Sequence, residues 1–153
     1  MATFFCDSSA IVKRYIAETG SRWISATMNP ASGNRIYVAR ITFVEVVSAI
    51  TRRERGNHIS AADADSARLT FEQDYLKQLR KIEISENLIN EAARLANKYA
   101  LRGYDAVQLA AALETETGRI ALGLSPLTLL SADTDLNDAA IAEGLLVDNP
   151  NNY

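Results

Sequence analysis

Short runs of β-type residues alternate with longer stretches of helical periodicity along the whole chain, and this leaves few folds open. Strands that each hand over to a helix build a central, mostly parallel sheet covered on both faces, an α/β fold in three α/β/α layers. Thr3-Phe4-Phe5-Cys6 reads as a buried strand. Segment 8–28 carries Ile11, Val12, Tyr15, Ile16, Trp23, Ile24 and Met28 at helical spacings and breaks near Gly20, which predicts two helices. Pro30, Gly33 and Asn34 mark a loop before a short strand at Ile36–Val38. Phe43, Val46, Val47 and Ile50 predict a helix over 42–55 that stops at Gly56. An amphipathic helix follows over 60–80, its apolar side drawn from Leu69, Tyr75, Leu76 and Leu79. Lys81–Ile84 alternates as a strand, and Ser85 caps a helix running to about Tyr99. Helices over 104–117 and 134–143 and strands at 127–131 and 145–147 complete the pattern.

The length of 153 residues predicts a single domain over 1–153. With 48% hydrophobic and 23% charged residues the chain can fill a core. Its formal net charge of −3 has the wrong sign for holding nucleic acid by bulk electrostatics, so any such contact needs a local basic patch. The lone Cys6 has no partner for an internal disulfide, which fits a reducing compartment. Asp7, Lys13 and Arg14 interrupt the beginning of the sequence, where a signal peptide needs an apolar core. No apolar stretch approaches the ~18 residues of a membrane span. The expectation is a soluble, cytoplasmic protein without a membrane partner.

Four acids stand out against this framework. Asp7 ends the first strand, Asp133 follows the strand at 127–131, Glu45 interrupts an apolar helical stretch, and Asp105 opens the Ala-rich segment to Leu113. None has a Lys or Arg three or four residues further on, where a helix would supply a salt-bridge partner. In open parallel sheets ligands bind beyond the carboxyl ends of the strands, and Asp7 and Asp133 fall on that edge. Taken singly, Asp7 and Asp133 suit helix N-caps and Asp105 suits the positive end of a helix dipole. Glu45 is harder to explain that way, because Ile41, Thr42, Ser48 and Ala49 surround it on the helix without a cation. Carboxylates without local countercharge favour a hard divalent cation and phosphodiester hydrolysis.

Other chemistries fit less well. One histidine, His58 in a loop, cannot build a zinc cluster, and a Ser-His-Asp triad through Ser8 or Ser9 would have to recruit it. No glycine-rich phosphate loop of either common type is present. Arg52, Arg53 and Arg55 lie beyond Glu45 on its own helix and form a candidate phosphate-steering patch, with Lys13, Arg14, Arg40 and Arg102 as additions.

These motifs resemble, in order and over nearly the whole chain, the PIN-domain family, and specifically the VapC-type toxin ribonucleases. The resemblance rests on the strand running into Asp7-Ser8-Ser9-Ala10, on Glu45 in Thr-Phe-Val-Glu-Val-Val-Ser-Ala, on Tyr104-Asp105-Ala-Val-Gln-Leu-Ala-Ala-Ala, on Leu130-Ser-Ala-Asp-Thr-Asp-Leu136 and on the segment ending at Pro150. It implies a PIN-like nuclease domain in which Asp7, Glu45, Asp105 and Asp133 bind Mg²⁺ or Mn²⁺, with Asp135 as a helper or cap. It also implies a metal-dependent endoribonuclease acting on RNA, with the cation activating the attacking water, a homodimeric state and a cognate antitoxin that occludes the site. Tyr15, Ile16 and Trp23 are candidates for those protein contacts. Two alternatives remain: a haloacid-dehalogenase-like phosphatase, which wants a second Asp where Ser9 stands, and a non-catalytic PIN-like nucleic-acid-binding module.

Overall fold

Alternation along the central strands sorts the interior into two apolar layers. In β1 (Thr3–Cys6), Phe5 and Cys6 are both fully buried yet face opposite sides of the sheet, because successive side chains of a strand point in opposite directions. In β2 (Arg35–Ala39), Ile36 and Val38 lie on the Cys6 side and Ala39 on the Phe5 side. In β4 (Thr128–Leu130), Leu129 joins Phe5 and Leu130 joins Cys6. The edges are β3 (Arg80–Ile82) and β5 (Leu146–Asp148), both three residues long. Strand order is β3-β2-β1-β4-β5 and every pairing is parallel, with Phe5 opposite Tyr37 on one side and Leu129 on the other. The computed structural model describes residues 1–153.

Helices α1 (Ser8–Ile11), α2 (Ser21–Thr27), α3 (Thr42–Arg55) and α4 (Ala61–Lys77) cover the Cys6 face. Helices α5 (Glu86–Tyr99), α6 (Gly103–Ala121) and α7 (Thr134–Ala142) cover the Phe5 face. The expected three-layer α/β/α arrangement is therefore present, and its sheet is parallel throughout. Chain order reverses at β1, which is followed in sequence by β2 on one side and flanked on the other by β4.

Some elements differ from their sequence reading. The first helix is one turn that tightens into a 3₁₀ turn over Val12–Arg14. Gly20 then turns the chain with φ of 85°, and a Cβ there would lie 2.2 Å from the Pro150 carbonyl oxygen, so both conformation and close approach demand glycine. Tyr75 and Leu79 are buried as expected, but Leu69 and Leu76, expected on the same side of α4, are exposed; Ala64, Ala67 and Phe71 fill that face in their place. Small residues that let α4 lie close to α3 gave a weak periodic signal there. Tyr15, Ile16 and Trp23 are also used within the fold. Ile16 is buried, Tyr15 meets Phe71 edge-on, and Trp23 stacks on Tyr153 with centroids 4.3 Å apart.

Asp74 on α4 is the charged anchor of this layer. It is 6% exposed and accepts hydrogen bonds from Arg14 Nε at 2.8 Å, Tyr15 Oη at 3.0 Å and Gln78 Nε2 at 2.8 Å. Removing one member of such a buried pair strands the other. Asp74→Ala is expected to cost about 3 kcal/mol, read as a lower urea midpoint with an unchanged m value. A variant within ~0.5 kcal/mol of wild type would show that Arg14 finds compensation in solvent.

Candidate active site

Asp7 follows β1 directly, so the strand delivers its carboxylate to the carboxyl edge at the point where chain order reverses. It is 2% exposed, and no Lys or Arg pairs with it. Its Oδ1 caps α1 by accepting from Ala10 N–H at 3.0 Å and also accepts from Ser9 Oγ at 2.7 Å, while Oδ2 accepts from Ser131 Oγ at 3.1 Å. Both hydroxyls work twice. Ser9 Oγ accepts from Ala132 N–H at 2.9 Å, and Ser131 Oγ accepts from Asp133 N–H at 3.0 Å. The ends of β1 and β4 are thus tied together through one carboxylate. Burial pushes the Asp7 carboxyl up to about 7; the donors from Ser9, Ala10 and Ser131 oppose that rise and nearby Glu45 adds to it.

Glu45 lies in the first turn of α3, half-buried, with both oxygens held. Gln108 Nε2 donates to Oε1 at 2.6 Å and Ser8 Oγ donates to Oε2 at 3.1 Å. Gln108 is itself fully enclosed on α6 and bonds Thr42 Oγ1 at 2.9 Å, so one carboxamide joins two helices and orients the acid. Burial raises the Glu45 carboxyl, its two donors oppose the rise, and Asp105 adds to it. Asp105, in the first turn of α6, is raised by burial and by Asp133 and Asp135, with Arg102 opposing. Asp133 caps α7 through Oδ1, which accepts from Leu136 N–H at 2.9 Å. Asp135 is exposed.

The capping readings of Asp7 and Asp133 are therefore correct, and the same two acids still join the other candidates on one edge. The arrangement is a row in which Asp7 neighbours Glu45, Glu45 neighbours Asp105, and Asp105 neighbours Asp133 and Asp135. No three acidic, His or Cys side chains converge into a finished ion cage. Like charges without a cation repel, and Asp7 and Glu45 are held back on their own donors. The donor set is all oxygen and carries no ion pair, which suits a hard divalent cation that would draw the row together.

The basic patch is corrected substantially. Arg53 pairs with Glu18, Lys13 with Glu18 at 3.1 Å, Arg14 with Asp74 and Arg40 with Glu83 at 2.6 Å. Arg52, Arg55 and Arg102 are exposed and make no ion pair within the protein. A groove of about 350 Å³ connects Arg52 to Glu45 and Ser8. A larger cavity of about 470 Å³ beside Tyr15 holds His58 and Asp63 and no member of the acidic row. Sequence reasoning missed Gln108, Thr42, Ser9 and Ser131 as supports. Gln108 stands three residues after Asp105 in an otherwise apolar run, which was the available signal.

Fold and donor set together define a parallel α/β protein with an acidic, all-oxygen centre at its chain-reversal point. The chain belongs to the PIN-domain family: the PIN domain profile matches residues 4–142. Ribonuclease VapC45 of Mycobacterium tuberculosis is 31% identical over 147 residues, covering 96% of this chain and 95% of that protein. Among solved structures, FitAcB from Neisseria gonorrhoeae superposes with a TM-score of 0.65 at 16% identity, over 96% of this chain and 97% of that one. A toxin–antitoxin complex from Klebsiella pneumoniae superposes with a TM-score of 0.60 at 18% identity, over 98% of each chain.

The buried Asp7 gives a pH signature. Its folded value of about 7 lies above its ordinary 3.8, so the folded state binds the extra proton between those limits. The associated stability is fully present below pH ~4 and is lost as pH rises through 7, by up to roughly 4 kcal/mol. In chelator, the wild type is expected to lose stability from pH 5 to 7.5 relative to Asp7→Asn, whose amide stays neutral. Parallel stability–pH curves for the two proteins would disprove the assignment.

Proposed function

We propose that this protein is a Mg²⁺-dependent endoribonuclease, with Mn²⁺ able to substitute, working as one PIN-like nuclease domain over residues 1–153. The observation that carries the proposal is the row Asp7, Glu45, Asp105 and Asp133 at the carboxyl edge of a parallel sheet, with no cation of the protein's own paired to it. Its relatives' name, ribonuclease, supports RNA as the substrate. The complex from Klebsiella pneumoniae supports a role as the toxin of a toxin–antitoxin pair, held inactive by a cognate antitoxin. In the same proposal the toxin acts in the cytoplasm as a homodimer. No helix is long and apolar enough to cross a membrane.

In this reading the four acids hold the cation, which when bound stabilises negative charge on the phosphate oxygens and lowers the pKa of water. Asp7 supplies a carboxylate whose position is set before the cation arrives, because three donors already fix it. Gln108 and Ser8 prevent Glu45 from swinging away into solvent. Asp133 uses Oδ1 as a cap and keeps Oδ2 free of protein hydrogen bonds, which suits it to orient the attacking water. The phosphatase alternative is disfavoured, since Ser9 stands where a second Asp is wanted and its hydroxyl is engaged by Asp7 and Ala132.

Asp7→Asn and Asp105→Asn are each expected to lower RNA cleavage by at least ~100-fold in saturating Mg²⁺ while leaving the circular dichroism spectrum unchanged. Excess Mn²⁺ is expected to raise the Tm of the wild type by mass action and that of Asp105→Asn much less. Equal metal-induced shifts would remove Asp105 from the site. Arg52→Ala is expected to weaken RNA binding and to reduce the slope of log K against log salt by about one. Arg53, already paired with Glu18, should contribute less to that slope.

A further inference from the structure

Tyr104 is the aromatic residue that the fold leaves without employment. It precedes Asp105, is 63% exposed, and its hydroxyl makes no hydrogen bond within the protein. By contrast, Tyr15, Tyr99 and Tyr153 all use their hydroxyls on carboxylates. Burying an aromatic ring is strongly favourable, so one held in water at the rim of a groove has free energy to give to a ligand.

The groove it lines includes one member of the acidic row, Glu45, and is about 350 Å³, within the range of small-ligand sites. It has two chemically different parts. Tyr104 and the 65% exposed Val44 form an apolar rim, while Glu45, Ser8 and Arg52 supply charge and hydroxyls. Arg52 is two helical turns beyond Glu45 on α3, on the same side of that helix, and has no carboxylate partner. A planar apolar ring, a free guanidinium and hydroxyl groups around one cavity match the three parts of a nucleotide: base, phosphate and ribose. A protein segment would call for several apolar sockets, and this groove has one aromatic face.

We propose that the groove between α1, α3 and the start of α6 is a single-nucleotide subsite, in which a base next to the scissile phosphate stacks on Tyr104 and a flanking phosphate meets Arg52. This subsite rests on the ribonuclease reading and adds the residue that grips the unpaired base. Stacking tolerates any base, so the subsite selects for single-stranded RNA and splayed loops over regular duplex, whose bases are stacked on one another.

The test uses full-length protein carrying Asp7→Asn, to suppress cleavage, in Mg²⁺. Fluorescence anisotropy reads binding of a labelled short oligoadenylate and of an abasic ribose-phosphate chain of equal length. Tyr104→Ala in that background is expected to weaken oligoadenylate binding about tenfold or more and to leave the abasic chain unchanged. Tyr104→Trp is expected to restore the affinity. Equal affinity of the Tyr104→Ala and parent proteins for oligoadenylate overturns the subsite alone, provided wild-type protein still cleaves RNA. An equal loss on both ligands overturns it too, since it reports on charge or fold. If wild-type protein neither binds nor cleaves RNA, the subsite and the ribonuclease reading fall together.

Discussion

A carboxylate sealed at the end of the central strand is the constraint around which the rest is arranged. Asp7 leaves β1 where the sheet reverses its order, so its two oxygens reach both the helix that follows β1 and the loop that follows β4. An ionised group so enclosed would cost several kcal/mol without partners. Three donors reduce that penalty without removing it, and the remaining cost of burial raises the group's affinity for protons. The same hydrogen bonds that make the site acidic also fix the relative heights of β1 and β4. Structure and candidate chemistry therefore depend on one set of contacts.

The supports around the site follow from the same economy of polar groups. Ser9 and Ser131 each donate to Asp7 and accept a backbone N–H from the β4–α7 loop. Gln108 reaches from the layer on the Phe5 side to hold Glu45 on the other side. Two apolar layers that never touch across the sheet are thus joined at its carboxyl edge by polar contacts. Such joins restrict where the acids can move, which is what a cation site with defined geometry requires.

Charge pairing decides which surface remains available to an anionic ligand. The protein is net negative, and several of its cations are used internally: Lys13 and Arg53 converge on Glu18, and Arg14 serves Asp74. Arg52 is left over beside the acids, in a groove that Tyr104 also lines. An anionic ligand at this edge would accordingly meet a local patch of charge, since a broad positive field is missing.

The alternation of apolar runs with helical periods determined the layers and the parallel sheet, because burial on two faces allows few arrangements of such a chain. The absence of a local cation near Asp7, Glu45, Asp105 and Asp133 was also legible, since helical salt bridges are set by short spacings. Capping was legible for the same reason: the roles of Asp7, Ser85 and Asp133 concern residues three positions away. The supports were not legible, because Gln108 and Glu45 are 63 residues apart and Ser131 and Asp7 are 124 apart. Nor could spacing along α3 separate Arg53, claimed by Glu18, from Arg52, which is free. Local sequence sets what a residue can do within a turn or two of chain. Which distant groups share its surroundings is decided by packing, where the hydrogen bonds and ion pairs of unrelated segments compete for the same few positions.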